Sequence, residues 1–222
     1  MTQPFDRIDF FCPDRTRAKG VNLQNHLSTC LNLLPDSSIT RSEMPLSSNS
    51  LEVFSHDRPA AVLVSFLKVQ NEWHILMTKR APHLAHHAGQ ISFPGGKVEP
   101  SDSGPVAAAL REAYEEVHLA PELVQVIGGL DLVRSPAGFV VQPVVGIVSG
   151  ENRLQDLVLD PMEVELIFTV PVIHIANPKN LRLVTRKTDG RPNDYWVIEH
   201  HEHFIWGLSA KVLIDLSERL AC

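Results

Sequence analysis

The chain has 222 residues, 44% of them hydrophobic, and a formal charge of −6. That fits one globular domain with a small appendage and excludes a disordered or collagen-like chain. No stretch approaches the roughly 20 apolar residues that span a bilayer, and the acidic balance speaks against nucleic acid as a partner, which wants a basic face.

At the N-terminus, MTQPFDRIDFFCPDR carries an early acid and no apolar run, so no secretory signal is expected. Cys12, Cys30 and Cys222 are widely spaced and form no C-x-x-C pair. This argues against a disulfide framework or a thiolate zinc site and for a reducing, cytoplasmic setting. Leu23, Leu27, Cys30, Leu31 and Leu34 recur at helical spacing and predict a helix over 21–34, which Pro35 stops. The Ser- and Asn-rich stretch to Ser50 reads as a linker. The expected division is therefore a helical extension with its linker over 1–57 and a core domain over 58–222.

Within the core, Ala60 to Leu67 predicts a buried strand that forms a hairpin with Trp73 to Lys79 around Gln70-Asn71. A short strand is expected over Gln90 to Phe93, and Pro94-Gly95-Gly96 is expected to break any regular element. Val106 to Val117 predicts a strong helix. Strands follow at Val124–Leu132, Val140–Val148, Leu181–Thr185 and Tyr195–Glu199, before a closing helix with Val212, Leu213, Leu216 and Leu220 on one face. Without a regular βαβ alternation, the class is α/β with a mixed sheet packed between helices.

The chemistry gathers on the helix in SGPVAAALREAYEEVHL. Val106, Leu110, Ala113 and Val117 form the expected buried stripe, and Glu112, Glu115 and Glu116 share another face. Alone, such an acidic face is usually just solvated. Each like-charge i,i+4 pair costs about 0.2–0.5 kcal/mol, and the helix dipole disfavours negative charge at this end. A preceding Gly-rich break and the adjoining Arg111 favour another reading: a hard dication that takes oxygen ligands, relieves the repulsion and activates a water.

Gly96, Asp102 and Arg111-Glu112-Ala113-Tyr114-Glu115-Glu116-Val117-His118-Leu119 together resemble the Nudix box, whose helix reads R-E-U-x-E-E-x-G-U with U aliphatic. The resemblance implies an α/β/α sandwich that hydrolyses a nucleoside diphosphate linked to another group. It implies Glu112, Glu115 and Glu116 as ligands of Mg²⁺ or Mn²⁺, Arg111 as the holder of a glutamate, and Gly95 and Gly96 as points of close backbone approach. The chain departs from the pattern in three ways. Asp102 stands for the first Glu, the loop between Gly96 and Arg111 is one residue longer, and His118 replaces the Gly after the helix.

Upstream, Leu76-Met77-Thr78-Lys79-Arg80-Ala81, Gly89 and Phe93-Pro94-Gly95-Gly96 resemble the extra signature of Nudix coenzyme A pyrophosphatases. Arg80, Gly89, Phe93, Gly95 and Gly96 are thereby implied in substrate binding. Ala85 stands where that signature has a second Arg, so one phosphate clamp is missing; Lys79, His86 or His87 are the candidates to replace it. The resemblance implies cleavage of coenzyme A or an acyl derivative to 3′,5′-ADP and a 4′-phosphopantetheine. Glu163 is a candidate distal base or ligand. Another nucleoside diphosphate derivative, such as ADP-ribose or a dinucleotide, is the competing substrate, and a non-catalytic nucleotide-binding module the competing class. Neither a membrane nor nucleic acid is an expected partner; a homodimer is left open.

Two further clusters read plainly. His200, His201 and His203 around Glu202 alternate in a strand-like segment and are expected to be polar surface rather than a zinc site. Trp73, Trp196 and Trp206 are expected in the core or a pocket wall.

Overall fold

The structure is a computed structural model that describes residue 27 and residues 57–188 and 191–220. The linker, nearly all of the 21–34 helix and the three cysteines lie outside the described residues. Leu27 is the exception: it is helical and fully buried.

A long β-branched strand, β1 (Arg58–Val69), turns at Gln70 and Asn71 into β2 (Glu72–Arg80). Both turn residues have positive φ, 50° and 70°. This is the geometry that matches the twist of two antiparallel strands joined by two residues. Short strands β3 (Ile91–Ser92) and β4 (Gly95–Lys97) follow, then helix α1 (Pro105–Val117). Next come β5 (Val124–Gly129), β6 (Val133–Arg134), β7 (Phe139–Glu151) and β8 (Val164–Pro171). The chain continues through a single turn, α2 (Val172–Ile175), to β9 (Leu181–Thr188), β10 (Arg191–His200), β11 (His203–Trp206) and helix α3 (Gly207–Leu220).

The main sheet runs β3-β2-β1-β7-β5, with β4 added to β1, β6 to β7 and β8 to β2. β1 and β7 are parallel and the other pairs antiparallel, so the sheet is mixed as expected. Strands β11-β10-β9 form a second, antiparallel sheet. Alternation along β1 sends Ala61, Leu63 and Leu67 toward α1, with Leu76, Val144 and Val148. Val64 and Phe66 point the other way, into a core closed by Val212, Leu213, Leu216 and Leu220 of α3 and joined by Leu27. Helices thus cover both faces of the mixed sheet.

Three expectations change, and one strand was not foreseen. Pro94-Gly95-Gly96 does not end regular structure: Gly95 and Gly96 belong to β4 and pair with Val62 and Ala61. Such close pairing is open to glycine, since a Cβ on Gly95 would fall 2.6 Å from Val62 Cα. Strand β8 has no period-two pattern because both of its faces are partly covered, so periodicity did not mark it. His200 is not surface: it is 8% exposed at the end of β10, and the chain turns at His201 and Glu202 before β11. Trp196 and Trp206 are each 40% exposed rather than core, while Trp73 packs against the core.

Candidate active site

Helix α1 begins at Pro105, whose fixed φ suits a first helical residue, and runs through an Ala-rich sequence of high helix propensity. Small residues let it lie close on the sheet: Ala108, Ala109 and Ala113 are fully buried, while Val106 and Leu110 are only half-buried. The buried stripe is therefore rotated from the expected one and runs Ala109, Ala113, Glu116, Val117. Glu116 sits on it and is 2% exposed. Glu112 is half-buried and Glu115 half-exposed, so the three glutamates do not share one solvated face.

The helix ends on His118 at φ 53°, the left-handed position where the box has glycine. The His118 amide donates to Tyr114 O and the Leu119 amide to Ala113 O, closing the last turn.

Two guanidiniums divide the carboxylates. Arg111 donates to both oxygens of Asp102 at 3.0 Å, to Glu112 Oε1 at 3.0 Å, to Glu115 Oε2 at 2.9 Å and to the Lys97 carbonyl. Its hydrogen bonds hold the Asp102 carboxyl below its ordinary range. Asp102 also accepts the Glu99 amide, so it pins the long loop to the helix. Arg80 reaches Glu116 at 3.4 Å, and the Gly95 amide donates to the same carboxylate at 3.3 Å. Intramolecular cations thus meet part of the repulsion that the sequence alone leaves open.

They do not meet all of it. Burial pushes the Glu116 carboxyl up to about 8, and Glu112 and Glu163 add to the shift against the pull of Arg80. Glu112 is raised as well, by burial first, with Glu115 and Glu163 adding. Glu163 therefore sits near enough to act on both helix glutamates, although it is remote in sequence. It immediately precedes β8, and its carbonyl accepts the Ala81 amide next to Arg80. Among the described residues, no three carboxylate, imidazole or thiolate groups already converge on a point that could hold a metal ion. The donors themselves suit a hard dication: Glu112 and Glu116 offer carboxylate oxygens whose proton affinity is raised by burial and by neighbouring carboxylates.

The upstream signature folds onto the same place. Gly89 has φ 70° and its amide donates to Arg80 O, closing the loop that begins at Ala81. Phe93 is 2% exposed within the core, so its ring anchors the turn into Pro94 and β4 rather than facing a ligand. Lys79 is committed to Glu165 at 2.7 Å. Of the side chains weighed as substitutes for the missing Arg, His86 and His87 stay exposed on the loop beside the exposed Ala85. Sequence reasoning did not single out Asp160. Its amide bonds Glu116 O and its carbonyl accepts the amides of Glu163 and Val164, and the Asp-Pro step at 160–161 was the available turn signal.

A carboxylate-rich helix is thus laid on a glycine strand of a mixed sheet that lies between helices. The family pattern described as NUDIX domain matches residues 57–184, more than half of the chain. The chain belongs to the Nudix hydrolase family, whose members generally use divalent metal ions.

It is 36% identical over 160 residues to the uncharacterized Nudix hydrolase NudL of Enterobacter sp. (strain 638), covering 72% of this chain and 81% of the relative. It is 34% identical over 188 residues to the NudL protein of Shigella sonnei (strain Ss046), covering 83% and 94%. Similar solved structures include a C. elegans Ap4A hydrolase binary complex (TM-score 0.42, 19% identity, 51% of this chain and 80% of that one). Another is the NUDIX domain of Shewanella oneidensis NrtR complexed with ADP ribose (TM-score 0.43, 18% identity, 56% and 79%). No helix among the described residues is long and apolar enough to cross a membrane.

Proposed function

We propose that this Nudix hydrolase cleaves the diphosphate of coenzyme A or an acyl-coenzyme A, releasing 3′,5′-ADP and the corresponding 4′-phosphopantetheine. The observation that carries the reading is the meeting of the upstream signature with the helix: Arg80 and the Gly95 amide both lie on Glu116. In this reading Glu112, Glu115 and Glu116 would hold Mg²⁺ or Mn²⁺. The dication would offset charge on the diphosphate and acidify a bound water.

Arg111 holds Glu112 and Glu115 in place through two charge-assisted hydrogen bonds. Arg80 offers a cation to the diphosphate beside Glu116. Glu163 is assigned as the base: it takes a proton as the water oxygen bonds to phosphorus, and the bridging P–O bond breaks to release the nucleotide.

Ala85 supports a second reading, in which ADP-ribose or a dinucleotide is the substrate. The two are separated by assaying coenzyme A, acetyl-coenzyme A, ADP-ribose and NADH with Mg²⁺ or Mn²⁺ and resolving products by chromatography. The expected result is a higher kcat/KM for the coenzyme A pair; preference for ADP-ribose overturns it. Because Ala85 is exposed, Ala85→Arg is expected to fold normally and to lower KM for coenzyme A, and an unchanged KM removes the missing clamp from the account.

A further inference from the structure

Glu163 lies on a segment with little regular structure of its own, yet five side-chain and backbone ties hold that segment on both sides. On one side is the end of α1. The Val158 amide donates to Val117 O at 3.2 Å, while His118 Nδ1 donates to Val158 O at 2.8 Å, so one residue is clasped through both of its backbone groups. Two residues on, the Asp160 amide donates to Glu116 O at 2.9 Å. On the other side is the loop after Arg80, where the Ala81 amide donates to Glu163 O at 2.8 Å and His83 Nε2 donates to Met162 O at 3.0 Å.

His118 is the informative member. It stands where the family pattern has glycine, and it keeps the left-handed backbone, φ 53°, that glycine adopts more easily by about 1 kcal/mol. A glycine there has no side chain with which to reach Val158. The imidazole is also supported by the Tyr114 ring one turn earlier, 5.7 Å between centroids. The strained residue thus makes a bond that the unstrained one cannot.

We propose that His118 and His83 are positioning residues that clamp the 158–163 segment between α1 and the Arg80 loop, and so set where Glu163 stands over Glu112 and Glu116. The proposal rests on the assignment of Glu163 as base, so its test reads the clamp and the base separately.

Amide hydrogen exchange over 158–164 reads the clamp. Turnover of coenzyme A with Mg²⁺ reads the consequence. His118→Gly restores the family glycine and relieves the backbone, so it is expected to leave Tm unchanged or higher. It is nevertheless expected to quicken exchange over 158–164 and to lower kcat about tenfold, with KM within about twofold, because a displaced base loses alignment rather than ground-state binding. His83→Ala is expected to act in the same direction. His118→Asn tolerates the left-handed conformation and carries an amide donor, so it is expected to restore most of both readouts.

Glu163→Gln is expected to lose turnover on its own, and His118→Gly is expected to add little in that background. Unchanged exchange in His118→Gly overturns the clamp. Faster exchange with unchanged kcat, in a chain where Glu163→Gln is impaired, overturns positioning. Full turnover by Glu163→Gln instead overturns the role of Glu163, and the exchange rates still decide the clamp whether or not coenzyme A is the substrate.

Discussion

The carboxylate of Glu112 lies directly on the bare backbone of Gly96, so that a Cβ there would fall 2.5 Å from its carboxyl carbon. The neighbouring glycine is constrained differently. Gly95 has φ 154°, and its Cβ would meet the backbone of β1.

These two environments predict opposite outcomes for the same substitution. In Gly96→Ala only a flexible carboxylate has to give way, so the fold is expected to persist, with Tm within a few degrees. Activity is expected to fall at least tenfold as Glu112 is pushed off its place. In Gly95→Ala the clash is with main chain and the conformation is strained, so a loss of several kcal/mol is expected. Thermal melts and kinetics on the two variants check this; an active, stable Gly95→Ala contradicts the contact.

Metal linkage gives a second prediction. Burial and mutual repulsion raise the proton affinity of Glu112 and Glu116 despite two neighbouring guanidiniums. Millimolar Mg²⁺ binding to the native state is therefore expected to raise Tm by several degrees. Glu115→Gln combined with Glu116→Gln is expected to abolish that rise. A rise that survives the pair places the ion elsewhere.

The buried end of β10 predicts a dependence on acid. The His200 imidazole, 8% exposed, is pushed down to about 4, by burial first and then by His174, His201, His203 and His74. His174 meets it edge-on at 4.7 Å, and His201 lies 4.3 Å away. The unfolded chain takes up a proton near pH 6.5 whereas the folded chain resists until about 4. Stability is therefore expected to fall as pH drops through that window, by up to about 3 kcal/mol from this residue. Urea melts from pH 7 to 4 measure the slope, and His200→Gln is expected to flatten it; an identical slope in that variant removes His200 as the cause.

Beneath α1, Ser65 is fully buried and its hydroxyl has no hydrogen-bond partner among the described residues. An unpaired buried hydroxyl costs about 1–3 kcal/mol. Ser65→Ala is expected to stabilise the chain by about 1 kcal/mol in a urea titration, with kinetics unchanged. A destabilised variant shows that the hydroxyl is satisfied after all.

Sequence by itself determined the elements whose signals are local. The β1–β2 hairpin is fixed by β-branched runs around Gln70-Asn71, α1 and α3 by helical period and propensity, and the carboxylate-bearing helix by a long, chemically mixed motif. Even the left-handed residue after α1 was legible, from a glycine position occupied by His118.

Only the tertiary structure decided what depends on distance through space. It turned α1 so that Glu116 lies on the buried stripe, because three alanines allow the helix to settle closely on the sheet. It made Gly95 and Gly96 a strand instead of a break, because their pairing partner is β1, more than thirty residues earlier. It also brought Glu163, from the turn before β8, and Arg80, from the end of β2, to the helix and buried His200. None of these follows from periodicity, since burial and electrostatic coupling are set by which segments pack together and not by the order in which they occur.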